Sequence, residues 1–180
     1  MRGLKTALGF ILALLMAGCV VSSLHPLFTE KDLAFDPTLV GTWAEKDEDD
    51  TLTFALAEGK AYELTYTAEG QKTKYEGHLV QLGEFKFLDV YPKISEEHDA
   101  FHLIPAHTFW RIRMDGDVLS IAGLDEDWFK NATAKKEIAI AHERLEHGIV
   151  LTASTDVLQK FVLKYADSAF SDFGEFHRQK

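Results

Sequence analysis

The residues with the richest chemistry in this sequence lie between positions 96 and 113, where histidines alternate with carboxylates and arginines. Imidazole and carboxylate groups are common ligands of Zn²⁺, which needs three or four of them converging on one point. His98, His102 and His107 match no compact zinc motif in their spacing, and Pro105 breaks any helix that would align them. We therefore predict no bound metal or other cofactor, with a metal-dependent activity at these histidines as the alternative.

Asp89 interrupts a row of aromatic side chains in residues 85–91, FKFLDVY. If this segment is a strand, Asp89 shares one face with Phe85, Phe87 and Tyr91. A carboxylate that faces a core costs several kcal/mol unless it is paired. Arg111 or Arg113 on a neighbouring strand is the expected partner, with His107 on the same face. Two interpretations stay open: a row of structural or surface charges, or a polar handle for a small ligand in an apolar pocket.

Motifs of nucleophilic or nucleotide chemistry are missing from the sequence, which contains no G-x-S-x-G, no P-loop and no G-x-G-x-x-G. The acidic run KDEDD at residues 46–50 lacks the glycine and the spaced oxygen ligands of an EF-hand calcium loop, so we predict a solvated turn there. We accordingly predict that the protein is not an enzyme.

The only cysteine, Cys19, ends an apolar stretch that follows Arg2 and Lys5. A cationic start, a short apolar run and small residues are typical of a secretory signal peptide, and the run is shorter than the roughly 20 apolar residues of a spanning helix. We predict that residues 1–18 are a signal peptide and that the protein is exported.

Ala17 and Gly18 directly before Cys19 resemble the lipobox of bacterial lipoproteins, although Met16 stands where that family favours leucine. The resemblance implies that Cys19 carries acyl chains such as palmitate and becomes the first mature residue. Several chains on one residue hold a protein stably on a membrane. Val20 in place of aspartate implies the outer membrane, with the domain in the periplasm. An ordinary cleaved signal, or an uncleaved N-terminal anchor, is the alternative.

Composition limits the partners of the mature chain. Removing residues 1–18 from 180 leaves 162 residues and takes two of the 19 cations, against 29 anions, so the formal charge is −12. This length suits one domain, and the acidic surface argues against binding nucleic acid. With Cys19 acylated, no disulfide stabilises the domain.

From Leu39 onward the sequence alternates between apolar and polar residues in short segments, which is typical of strands with one buried face. We predict about nine strands, the last two at residues 137–145 and 148–153, in an antiparallel meander that closes into a barrel or a strongly curved sheet. Residues 19–38 are predicted to be a tether that ends as an arm docked through Leu33 and Phe35.

Two helices accompany the strands in the predicted single domain, residues 39–180. The first is inserted after Asp125, where carboxylates cap the free N–H groups. The second, residues 154–167, has apolar side chains at i, i+3 and i+4 spacing. Phe170, Phe173 and Phe176 follow it without a clear period, and they either pack back on the domain or meet a partner.

Gly41 and Trp43, in LVGTW, resemble the G-x-W motif at the start of the first lipocalin strand, and FDPTL before it resembles the turn beneath that tryptophan. The resemblance implies a lipocalin-like barrel in which a late basic residue packs across the tryptophan, and Arg144 is the candidate. The chain departs from the family in having no T-D-Y-like motif and in the helix at Asp125. It also resembles uncharacterised bacterial lipoproteins of similar length.

Two functional hypotheses follow. The favoured one is a lipid-anchored envelope protein that binds a small hydrophobic or amphipathic ligand, and it expects a barrel with an open interior. The alternative is a non-catalytic structural or protein-interaction module that contacts an envelope protein through the N-terminal arm or the aromatic tail. An interior filled by aromatic side chains would argue against the first hypothesis.

Overall fold

A computed structural model describes residues 21–46, 48–93, 104–146 and 148–180 of the protein. It contains twelve strands in one sheet. The strands are β1 (Val21–Ser23), β2 (Leu33–Ala34), β3 (Gly41–Glu45), β4 (Thr51–Leu56), β5 (Ala61–Ala68), β6 (Gln71–Leu82), β7 (Phe85–Pro92), β8 (His107–Asp115), β9 (Val118–Gly123), β10 (His142–Leu145), β11 (Gly148–Leu151) and β12 (Gly174–Arg178). The helices are α1 (Glu126–Ala134), α2 (Thr155–Lys164) and α3 (Ala166–Ala169), and Glu30–Asp32 and Pro37–Leu39 form short 3-10 turns.

Eight of the strands form a closed antiparallel barrel. Strands β3 to β9 pair in chain order, and β12 lies between β9 and β3 and closes the circle. The predicted fold class, a mainly β lipocalin-like barrel with an inserted and a C-terminal helix, is confirmed. We call the end of the barrel at Glu45 and Thr51 the mouth, and the end at Gly41 and the Pro37–Leu39 turn the closed end.

Alternation along the strands gives the protein two apolar cores, one on each side of the barrel wall. The inner core fills the barrel. The outer core lies between the other face of β6 to β9 and the layer formed by the three helices, β1 and β11. A strand covered on both faces reads as a nearly continuous apolar run, and this explains the buried stretch Phe87 to Val90 in β7.

The N-terminal arm, residues 24–38, is docked on this outer layer. Leu27 is fully buried, β2 pairs with β6 at Leu33 and Val80, and the ring of Phe35 stacks on Tyr62 with centroids 5.3 Å apart. The predicted contacts of Leu33 and Phe35 are therefore confirmed. The predicted tether is too long, because the chain is already a sheet strand at Val21.

Strands β1, β11 and β10 form a small branch of the sheet, the side sheet, which leaves the barrel at β8. The first residues of β8 pair with β1, whereas Trp110 to Asp115 pair with β9. Strand β1 runs parallel to β11 with Val21 opposite Ile149, and β10 is the outer edge. The prediction that residues 137–145 and 148–153 end the barrel is therefore wrong, since this hairpin lies outside it.

The C-terminal segment differs most from the sequence-based expectation. The predicted helix 154–167 is two helices, because Tyr165 leaves the helical conformation with φ −114° and ψ 17°. The aromatic tail packs back: Phe170 is fully buried in the outer core, and Phe176, in β12, is fully buried inside the barrel. The tail is therefore part of the barrel wall and not a free docking segment.

The inserted helix α1 begins as predicted, with the Asp125 carboxylate accepting a hydrogen bond from the Trp128 N–H at 2.9 Å. Within the described part of the chain, no helix has the length and apolar character needed to cross a bilayer.

Candidate functional site

The barrel interior is filled by side chains. Every apolar side chain of the inner core has 8 % or less of its surface exposed, so almost none of that surface is accessible to water or to a ligand. The inner core consists of Leu39, Trp43, Leu52, Phe54, Tyr62, Leu64, Tyr66, Leu79, Leu88, Val90, Trp110, Ile112, Leu119, Ile121 and Phe176. Carriers need an apolar cavity of some hundreds of Å³, and these aromatic rings occupy that place. The open interior that the ligand hypothesis expects is absent around these residues.

The closed end is built around Trp43, which is fully buried. Its indole N–H donates to the Leu39 carbonyl at 2.8 Å, and the guanidinium of Arg178 lies 4.2 Å from its ring centroid. Gly41 has φ 139°, and a side-chain Cβ there would lie 2.6 Å from Arg178 Nη1. The G-x-W pattern thus has a physical cause, since glycine leaves room for the cation that covers the tryptophan.

Arg144 is not the residue that packs across Trp43, and this prediction is wrong. Arg144 lies exposed on β10, in the side sheet, and its Nη2 donates to Thr133 Oγ1 at 3.1 Å. Arg178 takes the role because β12, and not the β10–β11 hairpin, pairs with β3 and places residue 178 opposite Trp43.

Asp89 lies on the outer face of the barrel wall and is completely buried. One carboxylate oxygen accepts a hydrogen bond from the Leu27 N–H at 2.6 Å, and the other lies 2.6 Å from His107 Nδ1. The His107 ring also contacts Tyr91, with centroids 4.5 Å apart. This carboxylate therefore ties the N-terminal arm to β7 and β8.

His78 extends the same polar group. It lies opposite Asp89 in the β6–β7 pairing, and its ring contacts Phe28 of the arm with centroids 4.4 Å apart. Burial lowers the pKa of His78 despite the neighbouring Glu76 carboxylate at 3.5 Å, so the ring is neutral over a wider pH range than an exposed histidine.

Arg111 and Arg113 share the face of Asp89 but do not pair with it. Arg111 Nη1 donates to the Ala166 carbonyl at 2.7 Å and to Asp167 Oδ1 at 2.8 Å. The Arg113 guanidinium lies 4.1 Å from the ring centroid of Phe173. The predicted Asp89–arginine pair is therefore wrong: Asp89 lies opposite Phe109 in the register, and both arginines serve the C-terminal segment.

The Asp89–His107 pair has the arrangement of the orienting acid and the base in a Ser-His-Asp triad. Ser23 lies opposite His107 in the β1–β8 pairing. Its side chain is fully buried, and its hydroxyl donates to the His25 carbonyl at 2.8 Å. A buried hydroxyl that is already bonded is not available to a substrate, so this arrangement is suited to holding the arm and not to acyl transfer.

The histidine cluster cannot be assembled from the described residues. His98 and His102 lie outside them, as does Cys19. Among the residues that the structure does describe, no three His, Cys, Asp or Glu side chains are grouped so that they could hold a metal ion.

The mouth of the barrel carries a different polar group, centred on Glu45. Glu45 lies opposite Phe176 in the β3–β12 pairing and so faces the interior side of the wall. Its Oε1 is buried and has no hydrogen-bond partner in the described ranges. Burial, followed by repulsion from Glu48 and Asp50, raises the pKa of this carboxyl. Beside it lies a surface groove of about 440 Å³, also lined by Ala44, Lys46, Glu48, His177 and Gln179.

Glu45→Gln is expected to stabilise the protein at neutral pH. An acid whose pKa is raised by folding contributes full stability below its unfolded pKa of 4.5, and loses it as the pH rises through the folded pKa. Thermal unfolding should therefore show a melting temperature a few degrees above wild type at neutral pH, and no gain at pH about 4. Glu58→Gln, at an exposed turn, is the control, and an equal gain in both variants would contradict the assignment.

No family model, no curated protein and no solved structure matches this chain. The side chains of the protein itself are therefore the basis for its function.

Three of the most informative residues of the site were not predicted from the sequence. Leu27 and Arg178 lie in segments without alternation, and Glu45 belongs to an acidic run that reads as a solvated turn. The signal for Arg178 was the resemblance of G-x-W to the lipocalin motif, which implies a basic partner without specifying the strand that carries it.

Proposed function

We propose that this protein is a lipid-anchored lipoprotein of the cell envelope whose barrel is a rigid, non-catalytic scaffold for contacts with other envelope components. The filled interior carries the proposal, because a barrel packed like an ordinary core gives stability and shape and not storage space. The lipobox-like residues before Cys19 support the anchor, and Val20 supports the outer membrane with the domain in the periplasm.

Native mass spectrometry of the mature protein, extracted from membranes in detergent, tests the scaffold function. The expected spectrum shows acyl mass on the chain and no other stoichiometric small molecule or metal. A second bound molecule that survives extraction and stays with the folded chain would contradict a scaffold role and favour a carrier.

Cys19→Ala is expected to release the protein from membranes or to stop its processing, because the variant has no other cysteine to acylate. Membrane fractionation and the intact mass of the chain measure the outcome. Ser22→Ala, close by in sequence, is the control and should leave anchoring unchanged. A Cys19→Ala protein that is still processed and membrane-bound would mean that acylation does not hold it.

A second candidate is binding of a small amphipathic molecule at the mouth of the barrel. The observation that favours it is the buried, unpartnered Oε1 of Glu45 beside the groove, since a ligand hydroxyl or amine would supply the missing hydrogen bond. Lipid extraction of the purified protein, compared with Glu45→Met, whose side chain has a similar length and no acceptor oxygen, tests it. A molecule retained by wild type and lost from the variant would support this site, and none in either would exclude it.

A further inference from the structure

The N-terminal arm is attached to the barrel at two places with different chemistry. Its second half is held by the pairing of β2 with β6 and by the Asp36 N–H, which donates to the Tyr62 hydroxyl at 2.8 Å. Its first half, residues 24–32, is held at Leu27, whose N–H donates to the buried Asp89 carboxylate at 2.6 Å. The second half therefore depends on the sheet, and the first half depends on a charged group and its neighbours.

Two imidazole rings lie on either side of this carboxylate. His107 Nδ1 is 2.6 Å from one oxygen of Asp89, and the Leu27 N–H bonds the other, so both oxygens already have partners. His78 lies opposite Asp89 in the β6–β7 pairing, and its ring packs against Phe28 of the arm with centroids 4.4 Å apart. His78 is therefore the imidazole that the arm covers.

A proton on His78 is poorly accommodated while the arm covers the ring. Nε2 lies 3.5 Å from the Glu76 carboxylate, which is longer than the roughly 2.7–2.9 Å of a charge-assisted hydrogen bond. The side chain is only 16 % exposed. Burial, with repulsion from His107, outweighs the attraction of Glu76 and Asp89 and lowers the pKa of His78. Proton uptake therefore favours a state in which water reaches the ring.

The other titratable groups on the elements packed around His78 are exposed or already have partners. They are Glu63, Lys74, Tyr91 and Lys93 on the barrel wall, His25, Lys31 and Asp32 on the arm, and Asp156 and Lys160 on α2. Of this set, the exposed His25 is the one group whose ordinary pKa lies near neutrality. His25 is therefore the control for a response that belongs to His78.

The direction of the coupling follows from the burial of His78. The covered ring binds its proton more weakly than an uncovered ring, whose ordinary pKa is 6.5. The closed arm has its full stability above this pH, where the ring is neutral in both states. It loses stability as the pH falls through 6.5 toward the lower pKa of the covered ring. One proton changes the ratio of open to closed arm by at most about tenfold per pH unit.

We propose that residues 24–32 form a strap that separates from the barrel wall when His78 takes up a proton, while β2 keeps the rest of the arm in place. Separation removes Phe28 from the imidazole and Leu27 from the outer core. It exposes the part of the barrel wall around Asp89 to partners at acid pH. The strap is a property of the folded domain and does not depend on an anchor at Cys19.

Hydrogen exchange of the full-length protein in detergent tests the strap. The Leu27 amide reports its first half, and the Asp36 amide, bonded to Tyr62, is the internal control. From about pH 7.5 to about pH 5.5, protection at Leu27, corrected for intrinsic exchange, should fall several-fold and by less than about a hundredfold. Protection at Asp36 should stay constant. An equal loss at both amides would mean that the whole arm or the domain opens, and an unchanged Leu27 would mean that nothing opens; either result would overturn the strap.

Three histidine variants assign the response to one ring. His78→Gln keeps a polar side chain that does not titrate, so protection at Leu27 should become independent of pH over this range. His25→Gln should respond as wild type does. A response that persists in His78→Gln, or that disappears in His107→Gln alone, would overturn the assignment. A ring-proton titration of the wild-type protein by NMR needs no variant: His78 should titrate below 6.5, and a midpoint at or above this value would contradict the coupling.

Discussion

Replacing Asp89 with alanine is expected to destabilise the protein by about 3 kcal/mol and to loosen the N-terminal arm. The side chain is completely buried and has two partners, the Leu27 N–H and His107 Nδ1, each at 2.6 Å. Its removal leaves a buried backbone donor without an acceptor. The folded state is then destabilised by the full free energy of desolvating that donor. Urea unfolding gives the global loss, and hydrogen exchange at the Leu27 amide reports the arm.

Two further variants show how much of this loss comes from the hydrogen bonds of the Asp89 carboxylate. Asp89→Asn keeps an oxygen that can accept from the Leu27 N–H, so its cost should be about 1 kcal/mol. Asp167→Ala removes the other aspartate that bonds a side chain of β8, here Arg111, but Asp167 is 81 % exposed, and the loss should stay below about 1 kcal/mol. If Asp89→Ala costs no more than Asp167→Ala, the apolar contacts of Leu27 hold the arm and the carboxylate does not.

Most of the barrel could be predicted because its strands are covered differently on their two faces. In β5 the exposure alternates along Tyr62 to Tyr66, and the Asp115-Gly116 turn joins β8 to β9 with Gly116 at φ 58°. Strand β12 could not be predicted in this way, since it has five residues and few apolar side chains besides Phe176. Its place in the sheet comes from long-range pairing with β3 and β9, which leaves no local pattern.

The sequence predicted that Asp89 is unusual, but it did not predict the partners that Asp89 contacts. Asp89 stood out because an acid in an aromatic row needs a partner, and the structure confirms that it is buried. The alternation could not choose between His107 and Arg111, because both flank Phe109, which lies opposite Asp89 in the register. Register is set here by packing of the whole wall and by the arm, whose Leu27 N–H takes the second oxygen.

The two cores have different roles, one on each face of the barrel wall. The inner core makes the barrel rigid, and the outer core uses the other face of the same strands to hold the helices and the arm. A lipocalin-like barrel that carries a ligand keeps its interior free, whereas here Tyr62, Phe54 and Phe176 fill it. Contacts with partners are therefore expected on the outer surface.

Trp43→Ala is expected to have the largest effect of any single substitution inside the barrel, a loss of about 4 kcal/mol in the free energy of unfolding. The substitution removes a fully buried indole, its hydrogen bond to the Leu39 carbonyl and the surface on which Arg178 lies. Trp43→Phe keeps a ring and loses the N–H, so it should cost clearly less. Urea unfolding followed by circular dichroism measures both.

Variants of Arg178 test whether the cation that lies over the ring of Trp43 stabilises the protein. Arg178 Nη1 donates to the Val40 carbonyl at 2.9 Å and its Nη2 to the Thr38 carbonyl, so Arg178→Ala should cost about 2 kcal/mol. Arg144→Ala, at the exposed arginine that the sequence favoured, should change stability by less than about 0.5 kcal/mol. The Trp43–Arg178 double-mutant cycle should show coupling of about 1 kcal/mol, since cation and ring stabilise each other. Additive losses would mean that Arg178 stabilises the closed end through its hydrogen bonds to Val40, Thr38 and Asp117 and not through the ring of Trp43.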